Sequence, residues 1–160
     1  MEQKKRVQEC KKFKIPFVFD PGQNVTFWNQ GELRQIIKSA KVFIVNDYEL
    51  ELAKKITGWN LENILNNVNV LIVTLGEKGS VIYDQKKGLE IPAVKAKNVD
   101  PTGAGDAYRA GILKGLANGW DWEKTGRLAS FCGSCAVEHY GTQEHKFSQK
   151  FIKSIKSKVG

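Results

Sequence analysis

"KVFIVNDYELELAKKITG", residues 41–58, joins two kinds of pattern without a break. Val42–Val45 is wholly apolar and rich in β-branched side chains. A strand with one face in water would alternate, so this block reads as a strand buried on both faces. Asp47–Gly58 has an acid at its start and a glycine at its end, which is the polarity of a helix. A doubly buried strand running into a helix is one step of an α/β fold.

The same rhythm extends in both directions. Upstream, "PFVFD" (Pro16–Asp20) reads as a strand ending in a turn at Asp20-Pro21-Gly22. "GELRQIIKSA" (Gly31–Ala40) has helical spacing at Leu33, Ile36 and Ile37. Downstream, "LENILNNV" is a short helix and "NVLIVTLG" (Asn69–Gly76) a third strand. "GSVIYDQKKGLEIPAV" then reads as a hairpin: Ser80–Asp84, a turn at Gln85–Gly88, and Leu89–Val94. Two long helices follow, near Asp106–Asn118 and Trp122–His139, and a third near the C-terminus presents Phe147, Phe151 and Ile155 on one stripe. The expected fold is three-layer α/β: a mostly parallel sheet, helices on both faces and one antiparallel hairpin. Ligands of such sheets bind beyond the carboxyl ends of the strands.

The chain has 160 residues, enough for one domain with its own core. A composition of 41% hydrophobic and 26% charged residues fits a soluble globular protein. No apolar run is long enough to cross a bilayer, and none follows the basic N-terminus as a secretory signal would require, so the expected compartment is the cytoplasm. The net charge of +8 favours anionic partners. It is concentrated in residues 1–14 and 146–160, where solvated faces of terminal helices account for it. A basic nucleic-acid-binding module is the alternative, but no interleaved stacking aromatics or docking motif supports it. Three cysteines, Cys10, Cys132 and Cys135, do not make a disulfide framework.

Three polar clusters each follow a predicted strand, so parallel strands would bring all three to one edge of the sheet. In "NDYE", Asn46 and Glu49 are three apart at a helix start. Their oxygens could hold a hydrated Mg²⁺ beside phosphates, or simply cap the helix. In "TLGEKGS", Gly76 and Gly79 allow close approach of a ligand to the backbone, and Thr74 or Lys78 could touch phosphate oxygens; a turn into the hairpin explains the glycines equally well. The third cluster is "DPTGAGDAYRAG", residues 100–111. It lacks the Lys and Ser/Thr of a Walker A loop, and Tyr108 stands where a dinucleotide fingerprint needs glycine. It does place Gly103, Ala104 and Gly105 at a helix N-terminus, where unpaired amides and the helix dipole favour an anion. Asp106 alongside is unfavourable for anion binding alone. It makes sense as a base taking a proton from an attacking hydroxyl, or as an ordinary helix cap.

These motifs, in this order, resemble the ribokinase-type (PfkB) carbohydrate and nucleoside kinases. "DPTGAGDAYRAGILKGL" is similar to that family's signature, "NDYE" to its N-x-x-E motif and "TLGEKGS" to its T-x-G-x-x-G segment. "FVFDPGQ" and "VNDYELELAKKITGW" look most like the bacterial adenosine-kinase-like branch. The resemblance implies transfer of the γ-phosphoryl group of ATP to a sugar or nucleoside hydroxyl, with adenosine among the candidates. It implies that Gly103, Ala104 and Gly105 form an anion hole and that Asp106 is the catalytic base. Asn46 and Glu49 would organise Mg²⁺. Thr74, Gly76, Lys78, Gly79 and Thr102 would line the ATP site. "CGSCAVEHYGT", with Cys135 and Gly141, falls where the family wraps adenine, and Asp100 where many members hold a monovalent cation.

Met1 falls where such a kinase is already mid-domain. The resemblance therefore implies that residues 1–160 form a single domain corresponding to the C-terminal, ATP-side half, without the early strands, the acceptor contacts and the lid. A truncated, non-catalytic nucleotide-binding fragment is the corresponding alternative. An exposed sheet edge would then be open to the missing half or to a second copy. Cys132, Cys135, His139 and His145 also form a string with some zinc character, but its spacing is far shorter than a zinc finger's.

Overall fold

The computed structural model describes residues 2–96, 100 and 102–138. In chain order the elements are α1 (Glu2–Lys12), β1 (Val18–Phe19), α2 (Gln30–Ser39), β2 (Val42–Asn46), α3 (Asp47–Thr57), α4 (Leu61–Asn67), β3 (Val70–Thr74), β4 (Ser80–Asp84), β5 (Lys87–Ile91), α5 (Ala104–Ala117) and α6 (Trp122–Val137). Two 3-10 turns, Gly22–Phe27 and Gly76–Lys78, complete the set. The strands form one sheet in the order β1-β2-β3-β4-β5. β1·β2 and β2·β3 are parallel, as the doubly buried apolar blocks require. This is the α/β architecture that the strand–helix alternation predicts. Among the described residues, no helix is long and apolar enough to cross a membrane.

Contacts divide the chain into two compact units, residues 1–75 with 81–88, and residues 76–80 with those from 89 onward. In the first, Val42, Phe43, Ile44 and Val45 of β2 and Leu71 and Ile72 of β3 are sealed from water. Leu33 and Ile37 of α2 and Ile64 of α4 share one core cluster with Phe43, Val45 and Leu71. Each such side chain contributes about 1.5–3 kcal/mol by its burial. Phe19 stacks on Phe43 at 5.7 Å and meets Trp28 edge-on at 5.5 Å. Helices α2, α3 and α4 all start under capping boxes, Asn29 with Glu32, Asn46 with Glu49 and Asn60 with Asn63. Gly58, left-handed at φ +66°, ends α3 where the sequence predicts its stop.

Two expectations need correction here. The strand predicted over Pro16–Asp20 is two residues long, in register with Val42 and Phe43. Pro16 has no N–H to give to a ladder, and Asp20 turns the chain by accepting the Gly22 N–H at 2.8 Å. The hairpin turn is Gln85-Lys86 alone, not Gln85–Gly88, and β5 begins at Lys87. Both turn residues have positive φ, +48° and +66°, which is the backbone a two-residue hairpin favours. Neither is glycine, so nothing in the sequence marked the turn as so short.

In the second unit, α5 and α6 pack closely because glycines let them. A Cβ on Gly111 would collide with the Ala129 backbone, and one on Gly115 with Thr125. The stripe Phe147, Phe151 and Ile155 lies outside the described residues.

Candidate active site

In the first unit, the carboxyl ends of β2 and β3 lie side by side. Asn46 and Thr74 are register partners there. Asn46 Oδ1 accepts the Glu49 N–H at 2.7 Å, and Glu49 Oε2 accepts the Asn46 N–H at 2.9 Å. Both side chains thus cap α3, and one carboxylate oxygen of Glu49 lies outside that box. Among the described residues no cluster of three or more His, Cys, Asp or Glu could hold a metal by itself. The donor set here suits a cation that keeps its waters and takes a single carboxylate.

In the second unit, the Gly76–Lys78 turn closes with the Gly79 N–H donating to Gly76 O at 3.0 Å. Its two glycines differ. A Cβ on Gly76, at φ +59°, would meet nothing within 4 Å. One on Gly79, at φ +91°, would overlap the Ile91 carbonyl oxygen and crowd Ala93 N at 2.7 Å. The room at Gly79 is therefore filled by the chain's own backbone, while Gly76 is open. Lys78 is exposed. Ser80, the next residue, hydrogen-bonds to the Tyr108 hydroxyl at 2.8 Å. That bond brings the end of the glycine turn to α5.

Helix α5 opens without a side-chain cap. Its N-cap is Gly103 in the left-handed region, φ +85°, with no side-chain hydrogen bond to the first turn. Helical pairing starts with Ala107 N to Gly103 O at 3.0 Å. A helix leaves the amides of its first turn without helical acceptors, and here no cap side chain answers them. Gly105 is exposed, and a Cβ on it would meet nothing within 4 Å. Asp106 is the third helical residue, so it is not the cap that the alternative reading allowed. Its side chain is 72% exposed and pairs with the Arg109 guanidinium through Oδ1.

The surroundings of that start are built from local turns and α6. Asp100 Oδ1 accepts the Thr102 N–H at 2.9 Å, and Asp100 N donates to Val137 O at 3.1 Å. Helix α6 runs close to this start: a Cβ on Gly133 would sit in ordinary contact with Ala104 O, at 3.5 Å. Cys135 is buried and Cys132 half-buried. Burial pushes the Cys132 thiol up to about 11, with Cys135 adding to the shift, and burial raises Cys135 too. Both stay protonated at neutral pH, which makes neither a ready nucleophile or metal ligand. Gly141, His139 and His145 lie outside the described residues.

Sequence reasoning missed the Ser80–Tyr108 pair, whose members are 28 residues apart. A tyrosine among the small residues of α5 was the available signal, since a buried phenol needs a partner.

Comparison with known proteins identifies the family. Residues 4–149 match the pfkB family carbohydrate kinase. The nucleoside kinase of Methanocaldococcus jannaschii is 43% identical over 126 residues, covering 78% of this chain and 42% of that protein. The ligand-free Burkholderia thailandensis nucleoside kinase superposes with a TM-score of 0.89 at 39% identity, over 93% of this chain and 50% of that one. Its complex with ADP-inosine gives 0.90 at 38% identity, over 96% and 48%. The chain thus spans about half the length of the relatives it matches. On its motifs, its fold and this match, the chain belongs to the pfkB family of carbohydrate kinases.

Proposed function

We propose that this chain carries the ATP-side half of an ATP-dependent phosphotransferase, and that residues 1–160 act as one functional domain in it. The observation that carries the proposal is the uncapped start of α5 behind left-handed Gly103, with Asp106 exposed beside it. The γ-phosphoryl group would sit against the amides of residues 103–105. Those donors are fixed before reaction, so they stabilise developing charge without reorganising. The Asp106 carboxylate takes the proton of the acceptor hydroxyl as its oxygen attacks phosphorus, and ADP leaves. Arg109 holds that carboxylate in place through its ion pair.

Thr74, Gly76, Lys78, Gly79 and Thr102 flank the nucleotide in this reading. Open Gly76 offers backbone to a phosphate, whereas Gly79 serves by shaping the turn. The adenine lies toward α6 near Cys135 and, beyond the described residues, Gly141. Asn46 and Glu49 would hold Mg²⁺ through water, and the ion would neutralise phosphate charge. Asp100 is the candidate for a monovalent cation. We take the acceptor to be a nucleoside, because the relatives named above are nucleoside kinases and one is seen with ADP-inosine; adenosine and simple sugars are the competing acceptors. The edge strand β1 is where further strands or a second copy would pair. The cytoplasm, where ATP is plentiful, is the compartment this reaction needs.

Mg·ATP should raise the unfolding midpoint of the chain, by about 2.7 kcal/mol of stabilisation at a hundredfold excess over Kd. Absence of any rise would remove the nucleotide site. Transfer from ATP to inosine is then assayed with the remainder of the kinase fold supplied in trans. Nucleotide binding without transfer would favour a non-catalytic binding fragment.

A further inference from the structure

We propose that the Ser80–Tyr108 hydrogen bond braces the Gly76–Gly79 turn against the start of α5, making Tyr108 a positioning residue for bound nucleotide. The nucleotide part of this inference rests on the phosphotransferase reading above.

The turn and the helix start are 24 or more residues apart in sequence, from Gly79 to Gly103, and no ladder joins them. Gly79 is wedged against Ile91 and Ala93, which fixes one end of the turn. Ser80 follows at once, 2% exposed, with its Oγ on the Tyr108 hydroxyl. Tyr108 is 8% exposed, so neither hydroxyl has much access to water as a substitute partner. Tyr108 and Asp106 are two residues apart, about 200° around the helix. Tyr108 therefore points into the unit while Asp106 points out. Holding the phenol sets the rotation of α5 about its axis, and with it the direction of Asp106 and of the first-turn amides. Burial keeps the phenol up at about 12, so the proton it shares with Ser80 is present at any physiological pH.

The test uses Tyr108→Phe, Ser80→Ala and the double variant of the whole chain. Y108F keeps the ring and its packing, and S80A gives a second route should Y108F fold poorly. In the absence of nucleotide, amide hydrogen exchange at residues 76–79 and 104–107 should quicken together in each single variant. ADP affinity, measured by calorimetry, should fall about tenfold in each, and the double variant should bind no more weakly than either, the pattern of two groups acting as one. A bond that merely adds stability would lower the unfolding midpoint and leave ADP affinity unchanged, which would overturn the positioning role. Unaltered exchange would remove the brace. Should the wild-type chain fail to bind ADP, the phosphotransferase reading falls, and exchange alone still decides whether the brace exists.

Discussion

The first turn of α3 is closed by its own side chains, whereas the first turn of α5 is left to glycine. At α3, Asn46 and Glu49 exchange hydrogen bonds of 2.7 and 2.9 Å with each other's backbone amides. Helices α2 and α4 start in the same way, and Asp121 Oδ1 caps α6 by accepting the Lys124 N–H at 2.8 Å. At α5, Gly103 offers no side chain and adopts φ +85°. A cap stabilises a helix by about 1 kcal/mol, so omitting it has a cost. The cost is reasonable where the amides have a ligand to bind. The comparison separates a helix start closed by its own side chains from one whose first turn is left open to the anion proposed above.

Asp106→Asn should break the comparison hardest. Transfer should fall by about 10²–10⁴-fold, the range for loss of a general base, while ADP affinity holds. A steady-state rate near that of the parent would exclude Asp106 from proton transfer. Gly103→Ala comes next. A left-handed backbone costs an alanine about 1–2 kcal/mol, which a denaturant midpoint would report, and ADP affinity should fall with it. Stability equal to the parent's would mean that α5 can start in another conformation.

Asn46→Ala tests the closed end. It should cost about 1 kcal/mol of stability through the lost cap, and ADP affinity without Mg²⁺ should not change. If the same change also lowers the gain in affinity that Mg²⁺ brings, the asparagine serves the ion as well as the helix. The smallest effect is a pH dependence on the α6 side. The folded chain holds the Cys132 proton more tightly than an unfolded chain does, at about 11 against 9. That contribution is whole below pH 9 and declines as pH rises toward 11. Tyr108 adds a similar decline between pH 10 and about 12. Cys132→Ala should flatten the lower part of the alkaline slope in unfolding experiments; an unchanged slope would assign it to other groups.

Much of this was legible before any coordinates. Val42–Val45 and Val70–Val73 read as doubly buried strands because their apolar runs do not alternate, and they are buried. The N-x-x-E spacing at Asn46 raised both a cap and a cation, and the cap is what the backbone shows. The equivalent spacing at Asn29 and Glu32 is just as readable, and it too is a cap. Gly79 reads as a ligand approach or as a turn, and its backbone packs against Ile91, a closeness that no local pattern shows. Asp106 reads as a cap or a base, and its place two residues inside the helix start excludes the N-cap role.

The sequence by itself determined the alternation of strands and helices, the stops and caps, and the glycine-rich approach to α5. Those depend on interactions within four or five residues, where spacing and side-chain chemistry suffice. Tertiary structure alone decided that Gly79 is filled, that Gly76 and Gly105 are open, and that Ser80 meets Tyr108. Such facts depend on which surfaces lose their water to each other, and pairs 12 to 28 residues apart in the chain leave no periodic trace of that.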